Sequence, residues 1–364
     1  MNPARHLRIM VDIGHPAHVH YFKNAIRILK ERGHQILVTA RRRPIIKDLL
    51  DAYDIDFIDR GTGKNSLFGK LLYMLKADII LFRAAMRFKP DLFLSFTTPY
   101  PAHVSYVMGK PHVAMNDTEH VDKVNKLLTH PFCTVIMTPE SYLNSLGDKQ
   151  IRFNNVVEGS YLHKKYFRPD RKNLKMLSLK NDEKYVVLRF VSWNAHHDIG
   201  QEGLDNKTKR ELIEALTEKY RVFITSESEL PDEFKEYEIR IDPEKMHDVL
   251  AFAELFVGES STMATESALL GTYAVYINSL PLMCNIKVGE EYDIIKHFQS
   301  TRGVVPYVKE LISRHDLKAA AMNNSERMQK DFEDVTDMLV RQIEAYMREG
   351  IPDQKELNKR EQLS

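Results

Sequence analysis

Short apolar runs alternate with longer stretches of helical period along most of this chain, which predicts strands and helices in strict alternation. Leu7 to Ile13 reads as a strand, and the loop Gly14-His-Pro-Ala-His18 leads into a helix through about Arg32, closed by Gly33. Gln35 to Thr39, Phe57-Ile58, Asp91 to Phe96, His112 to Met115 and Thr134 to Thr138 follow as strands. Helices fall between them at Ile45 to Tyr53, along a long stretch ending at Phe88, and at Ala102 to Met108. The second half repeats the plan, with strands at Tyr185 to Val191, Arg221 to Thr225, Leu255 to Gly258 and Tyr273 to Ile277, and helices at Lys207 to Lys219 and Lys245 to Ala253. Strand–helix alternation of this kind implies parallel sheets covered on both faces, so the predicted class is α/β with two Rossmann-like, doubly wound halves.

The polar segment Phe167 to Lys184, rich in Lys, Asn and Asp, has the composition of a linker. The expected organisation is therefore an N-terminal Rossmann-like domain over 1–166, a linker over 167–184, a second Rossmann-like domain over 185–315, a helical region over 316–348 and a charged, disordered tail over 349–364.

Composition narrows the partners. The chain has 364 residues, 43% of them hydrophobic, enough for two ordinary cores, and a net charge of +1 with no concentrated basic stripe, which argues against a nucleic-acid partner. Two cysteines without CxxC spacing, Cys133 and Cys284, exclude a disulfide framework and a cysteine zinc site. No secretory segment opens the sequence and no apolar run reaches the roughly 18 residues of a membrane span, so a cytoplasmic protein is expected.

The most informative stretch runs from Leu255 to Gly271 and reads as strand, small-residue turn and short helix. The apolar strand ends at Gly258, and Ser260, Ser261 and Thr262 offer hydroxyls and backbone N–H groups at a helix start, where the dipole favours an anion such as phosphate. Glu266 lies one turn beyond Thr262 on the same face, placed to accept hydrogen bonds from a ribose. A capping box does not explain it, since Met263 stands three residues before it, and none of its helical neighbours Thr262, Met263, Leu269 and Leu270 is cationic. Exposure to water is the other reading.

Two halves of this kind with a Gly-x-Ser-Ser-Thr-x-x-x-Glu pattern resemble GT-B fold glycosyltransferases, UDP-N-acetylglucosamine 2-epimerase and the lipid-linked N-acetylglucosaminyltransferases. The segments Asp12 to Asn24 and Arg189 to Asp198 more closely resemble an uncharacterised family of predicted GT-B-type glycosyltransferases. The resemblance implies two domains facing a cleft, with Gly258, Ser260, Ser261, Thr262 and Glu266 holding a sugar nucleotide, an acceptor docked on the N-terminal half and a final helix crossing back to that half. It implies no cofactor beyond the nucleotide-sugar substrate and no required metal. The 2-epimerase Glu-Ala-Gly motif is absent after His112 to Met115, where the chain reads Asn116-Asp-Thr-Glu-His120, so an isomerase or hydrolase would have to use Asp117 and Glu119 as its acid and base. A binding protein without chemistry is the non-enzymatic alternative.

Inverting glycosyl transfer needs a base for the acceptor hydroxyl and positive groups for the leaving diphosphate. Gly14, His15 and His18 stand where an open α/β sheet binds ligands, and a helix N-terminus keeps a histidine neutral, which makes His15 the first candidate base; pinning of the turn by His15 is the bland reading. Arg189 interrupts an apolar strand and needs an anion, either the diphosphate or an acid such as Asp198, and His196, His197 and Asp198 follow in a polar loop that would reach the sugar. The run His15-x-x-His18-x-His20 argues poorly for a metal, because His18 and His20 point apart on a helix. Region 64–89 joins many apolar residues to six cations and one acid, Asp78. It reads either as a peripheral membrane contact for a glycan or lipid-linked acceptor, or as a core helix with a basic outer face.

Overall fold

The structure is a computed structural model describing residues 6–63, 66–180, 183–191, 204–279 and 283–349. The chain divides into two compact units, one formed by Met1–Tyr161 with Glu333–Ser364 and the other by Leu162–Phe332.

In the first unit β1 (Arg8–Ile13), α1 (Pro16–Glu31), β2 (Gln35–Ala40), α2 (Pro44–Ala52), β3 (Phe57–Asp59), α3 (Leu67–Phe88), β4 (Leu92–Ser95), α4 (Pro99–Val107), β5 (His112–Met115), α5 (Asp122–Leu128), β6 (Val135–Pro139), β7 (Gln150–Phe153) and a single turn α6 (Gly159–Leu162) follow one another. Its sheet has the order β3-β2-β1-β4-β5-β6-β7, and the pairings among the described residues are parallel. Strands β4, β5 and β6 are buried at every position, as parallel strands covered by helices must be. Met10 and Phe93 of the sheet pack with Leu81, Ala84 and Ala85 of α3 and Val104 of α4.

The second unit runs β8 (Tyr185–Phe190), α7 (Asn206–Thr217), β9 (Arg221–Ser226), α8 (Met246–Phe252), β10 (Leu255–Gly258), α9 (Ser261–Leu269), β11 (Tyr273–Ile277), α10 (Met283–Tyr292), β12 (Ile295–Phe298), α11 (Val304–Ser313) and α12 (Leu317–Asp331), with the parallel sheet order β12-β11-β10-β8-β9. The segment 167–184, expected as a linker, lies inside this unit. Its polar residues form a 3-10 helix (Arg171–Leu177) that Asp248 of α8 anchors, accepting the Asp170 N–H and the Asn173 amide, both at 2.7 Å.

The single helical region expected over 316–348 breaks at Phe332 into α12 and α13 (Val335–Glu349). The first belongs to the second unit and α13 to the first. There Val335, Leu339, Val340 and Ile343 are fully buried, α13 packs on α1, and Glu344 bonds Arg32 at 2.8 Å. Residues 350–364 of the expected tail lie outside the described residues.

Candidate functional site

A parallel sheet binds ligands beyond its strand carboxyl ends, where the strand order reverses. In the second unit that point lies between β8 and β10, and the register places Gly258 opposite Arg189 there. A Cβ added at Gly258 would lie 2.7 Å from the Arg189 carbonyl oxygen and 2.8 Å from its Cβ, so the glycine is dictated by the approach of β8 to β10. The Arg189 guanidinium does not stand alone: Nη2 donates to Glu227 Oε1 at 2.8 Å, an acid beyond β9 that the sequence reading did not consider. His196, His197 and Asp198 lie outside the described residues.

Beyond Gly258, Ser260 is the N-cap of α9, its hydroxyl accepting the Met263 N–H at 3.3 Å. The Ser260 hydroxyl, expected for a ligand, is thus engaged in capping. Ser261 and Thr262 form the first turn, whose N–H groups precede any carbonyl of their own helix, and both are half-buried. At the far end Gly271, at φ 77, closes a Schellman turn with Gly271 N–H to Ala268 O at 3.1 Å and Thr272 N–H to Ser267 O at 2.8 Å.

Glu266 is buried, and its Oε1 lies 2.9 Å from His247 Nε2 on α8. Exposure to water, the other reading of this acid, is therefore corrected: Glu266 is buried with a partner 19 positions away, beyond the reach of its own helical neighbours. Neighbouring Glu259, also buried, was missed altogether. Its carboxylate accepts the Val191 N–H at 3.0 Å and the Leu204 N–H at 2.7 Å, tying the end of β8 to the approach to α7.

In the first unit the order reverses between β1 and β4. Here α1 starts beyond β1 and α4 beyond β4, and Thr97 in the turn after β4 is held at φ 39, a left-handed conformation that a β-branched residue adopts only under constraint. His15 is the N-cap of α1 and its Nδ1 accepts the Ala17 N–H at 3.3 Å, so in this geometry it pins the turn. His18 Nδ1 accepts the Gly14 N–H at 3.2 Å, which assigns the proton of its neutral ring to Nε2. Burial against Phe96 and Tyr21, then the charges of His15 and Arg60, hold His18 well below the usual histidine range. The neutral ring therefore offers a donor, suited to an anionic oxygen. The rings of His15 and His18 are 5.8 Å apart, whereas His20 is buried against Tyr161. Among the described residues no group of three or more His, Cys, Asp or Glu side chains is placed to hold a metal ion.

Beneath this loop lies a buried ion pair that sequence reasoning also missed. Asp12, at the end of β1, takes Arg60 Nε at 2.9 Å, Arg60 Nη2 at 3.2 Å and the Thr39 hydroxyl at 2.8 Å. The Arg60 guanidinium also bonds Tyr73 and sits 4.6 Å from the Tyr100 ring centre. Its Nη2 is 3.5 Å from where a Gly14 Cβ would stand, so the ligand-facing loop rests on this charge pair. An acid inside the apolar run Leu7 to Ile13 was the available signal.

Asp117 and Glu119 follow β5. Burial pushes the Asp117 carboxyl above its usual value, against the pull of the Thr118 hydroxyl 2.5 Å away. Burial also raises Glu119, whose Oε1 accepts the Leu143 N–H. The loop is held by Asp122, which takes the Asn144 amide at 2.8 Å and the Tyr142 hydroxyl.

The family described as "Protein of unknown function (DUF354)" matches residues 7–348. An uncharacterised protein of Methanocaldococcus jannaschii is 24% identical over 359 residues, covering 94% of this chain and 99% of that one. Among solved structures the chain resembles S. aureus MnaA in a co-structure with UDP, at 15% identity and a TM-score of 0.68 over 94% of this chain and 97% of that one. It also resembles UDP-GlcNAc 2-epimerase from Neisseria meningitidis bound to UDP-GlcNAc, at 14% and 0.59 over 89% and 99%. Spinosyn rhamnosyltransferase SpnG complexed with spinosyn aglycone matches at 13% and 0.60 over 93% and 100%. At these identities the likeness is one of fold, and the parallel sheets of seven and five strands are those of the GT-B class expected from the sequence.

Proposed function

The chain belongs to the DUF354 family, and from its fold and the chemistry of its two strand-reversal points we propose that it is a glycosyltransferase moving a sugar from a nucleotide-diphosphate donor, of UDP type, to a cell-envelope glycan or lipid-linked acceptor. The observation carrying this reading is the start of α9 at the carboxyl end of β10, which puts Ser261, Thr262 and the first-turn backbone at a strand-order reversal. Diphosphate rests on that turn, with Arg189 beside it. Glu266, fixed by His247, accepts from the ribose, since a carboxylate takes several hydrogen bonds at once.

The acceptor binds at Gly14, His15 and His18. His18 donates Nε2–H to an anionic oxygen, and His15 acts as base through Nε2 once its ring gives up the Ala17 N–H and takes the other tautomer. An epimerase or hydrolase reading keeps one supporting observation, the raised carboxyl of Asp117, since burial shifts it toward the protonated form that a general acid needs.

Calorimetric and thermal-shift titration of the wild type and Glu266→Gln against UDP, GDP, CMP and dTDP sugars, with and without chelator, tests the donor. The glutamine keeps an acceptor for His247, so lost binding with an unchanged apo melt assigns the ribose contact. Absence of binding by any nucleotide at millimolar concentration would refute the proposal, and free epimerised sugar without acceptor would favour the isomerase.

A further inference from the structure

Helix α3 breaks the rule that a surface helix buries one apolar stripe and turns a polar face outward. Its inward side is provided by Tyr73, Ala77, Leu81, Ala84 and Ala85, all buried. Its outward side is also apolar: Leu71, Leu72, Leu75, Ile79, Phe82 and Met86 are each between 38% and 53% exposed. At ~100° per residue these six fall within an arc of roughly 100°. Exposed Lys76, Arg83 and Arg87 border that arc on one edge within a further ~60°. The helix's one acid, Asp78, lies on the other edge and is bound to His103 Nδ1 at 3.1 Å. Of the two readings of region 64–89, the core helix with a basic outer face does not describe this surface, which has two apolar stripes and a cationic rim.

We infer that this face docks on an anionic lipid surface, α3 lying in the headgroup plane with its six apolar side chains inserted and its cations against lipid phosphates. No helix of the described residues is long and apolar enough to cross a membrane, and 22 residues with this charge rim suit an interfacial position. The cations choose the occupant. A twofold contact with a second copy would set the patch on itself and bring no exposed acid of α3 to meet them, whereas phosphatidylglycerol or a similar lipid supplies the complement.

The surface stands independently of the nucleotide reading, because vesicle binding is measured without nucleotide. Flotation of the full chain with phosphatidylcholine vesicles, with and without phosphatidylglycerol, is the assay. Binding only to the anionic vesicles, weakened by salt, is expected, with partitioning falling roughly fivefold per cation removed and on the order of 100-fold in Lys76→Gln/Arg83→Gln/Arg87→Gln. Leu75→Gln/Ile79→Gln/Phe82→Gln should lose binding with an unchanged melt. If that variant is unstable, Phe82→Trp reports insertion directly through a blue-shifted emission on anionic vesicles. Equal binding to neutral vesicles, unaltered binding by the apolar variant, no emission shift, or a stable wild-type dimer that does not float would each overturn the proposal.

Discussion

Replacing Arg60 by methionine removes the only cation bonded to Asp12 among the described contacts. Asp12 is fully buried and Arg60 nearly so, at 1% exposure, so the variant leaves a carboxylate out of water with the Thr39 hydroxyl still donating to it. Breaking a buried pair in this way costs ~3–5 kcal/mol, most of it the cost of the stranded charge. For a domain of this size each kcal/mol lowers the melting point by ~2–4 °C, so scanning calorimetry should find the first unit melting on the order of 10 °C lower. The pair does not contribute that much net stability, however, and Asp12→Leu/Arg60→Met should recover most of the loss. A functional readout accompanies the thermal one. Arg60 is one of the charges that depress His18, so in Arg60→Met the imidazole should titrate higher in an NMR series while burial still keeps it below an ordinary histidine. A single variant that loses less than ~1 kcal/mol, or a double variant no better than the single, would refute the picture of a buried pair carrying the Gly14–His18 loop.

Gly258→Ala should destabilise the second unit by ~1–3 kcal/mol through overpacking, because the added methyl meets Arg189 backbone atoms that cannot move aside. An unchanged urea midpoint combined with lost nucleotide binding would instead assign the glycine to ligand approach. For pH, burial holds His112 down to about 3, with Ser95 2.9 Å from its Nε2 and Cys133 3.5 Å from its Nδ1. A neutral buried histidine gives the unfolded chain more protons below its ordinary value. The associated stability is therefore present above pH ~6.5 and falls by ~1.4 kcal/mol per pH unit on the way down towards ~3. Urea titrations at pH 7, 6 and 5 should show this slope in the wild type, and His112→Gln should flatten it; equal slopes in both would place the acid sensitivity elsewhere.

The elements legible in the sequence were those with strong local signals. Leu92–Ser95, Val135–Pro139 and Leu255–Gly258 are continuous apolar runs buried on both faces, and such runs announce themselves. Gln150–Phe153 and Ile295–Phe298 escaped because they are short and interrupted by Arg152 and by Lys296 with His297. Both sit at sheet edges, where only one neighbouring strand demands an apolar face.

The candidate site divides along the same line. Gly14, His15, His18, Gly258 and the Ser260–Thr262 turn stand at strand ends, so a reading of strand and helix starts could locate them, and sheet order then places both groups at reversal points. What could not be read is what each side chain touches. Glu266 has no cation on its own helix, yet the fold brings His247 to it from α8; Arg189 was assigned to a ligand or to Asp198, yet Glu227 reaches it from beyond β9. Arg60 directly follows β3 and carries no local signal of its own, and only the pairing of β3 with β2 and of β2 with β1 puts it on Asp12. A buried charge makes the existence of a partner predictable, because an unpaired one would not be tolerated, but its identity depends on which strands become neighbours. A lone charge in an apolar strand is thus best treated as a demand for a partner from the adjacent strand or its following loop first, and from a ligand only when those are exhausted. By that order Ser261 and Thr262, whose claim rests on backbone geometry at a helix start, outrank Arg189 as anion contacts in the second unit.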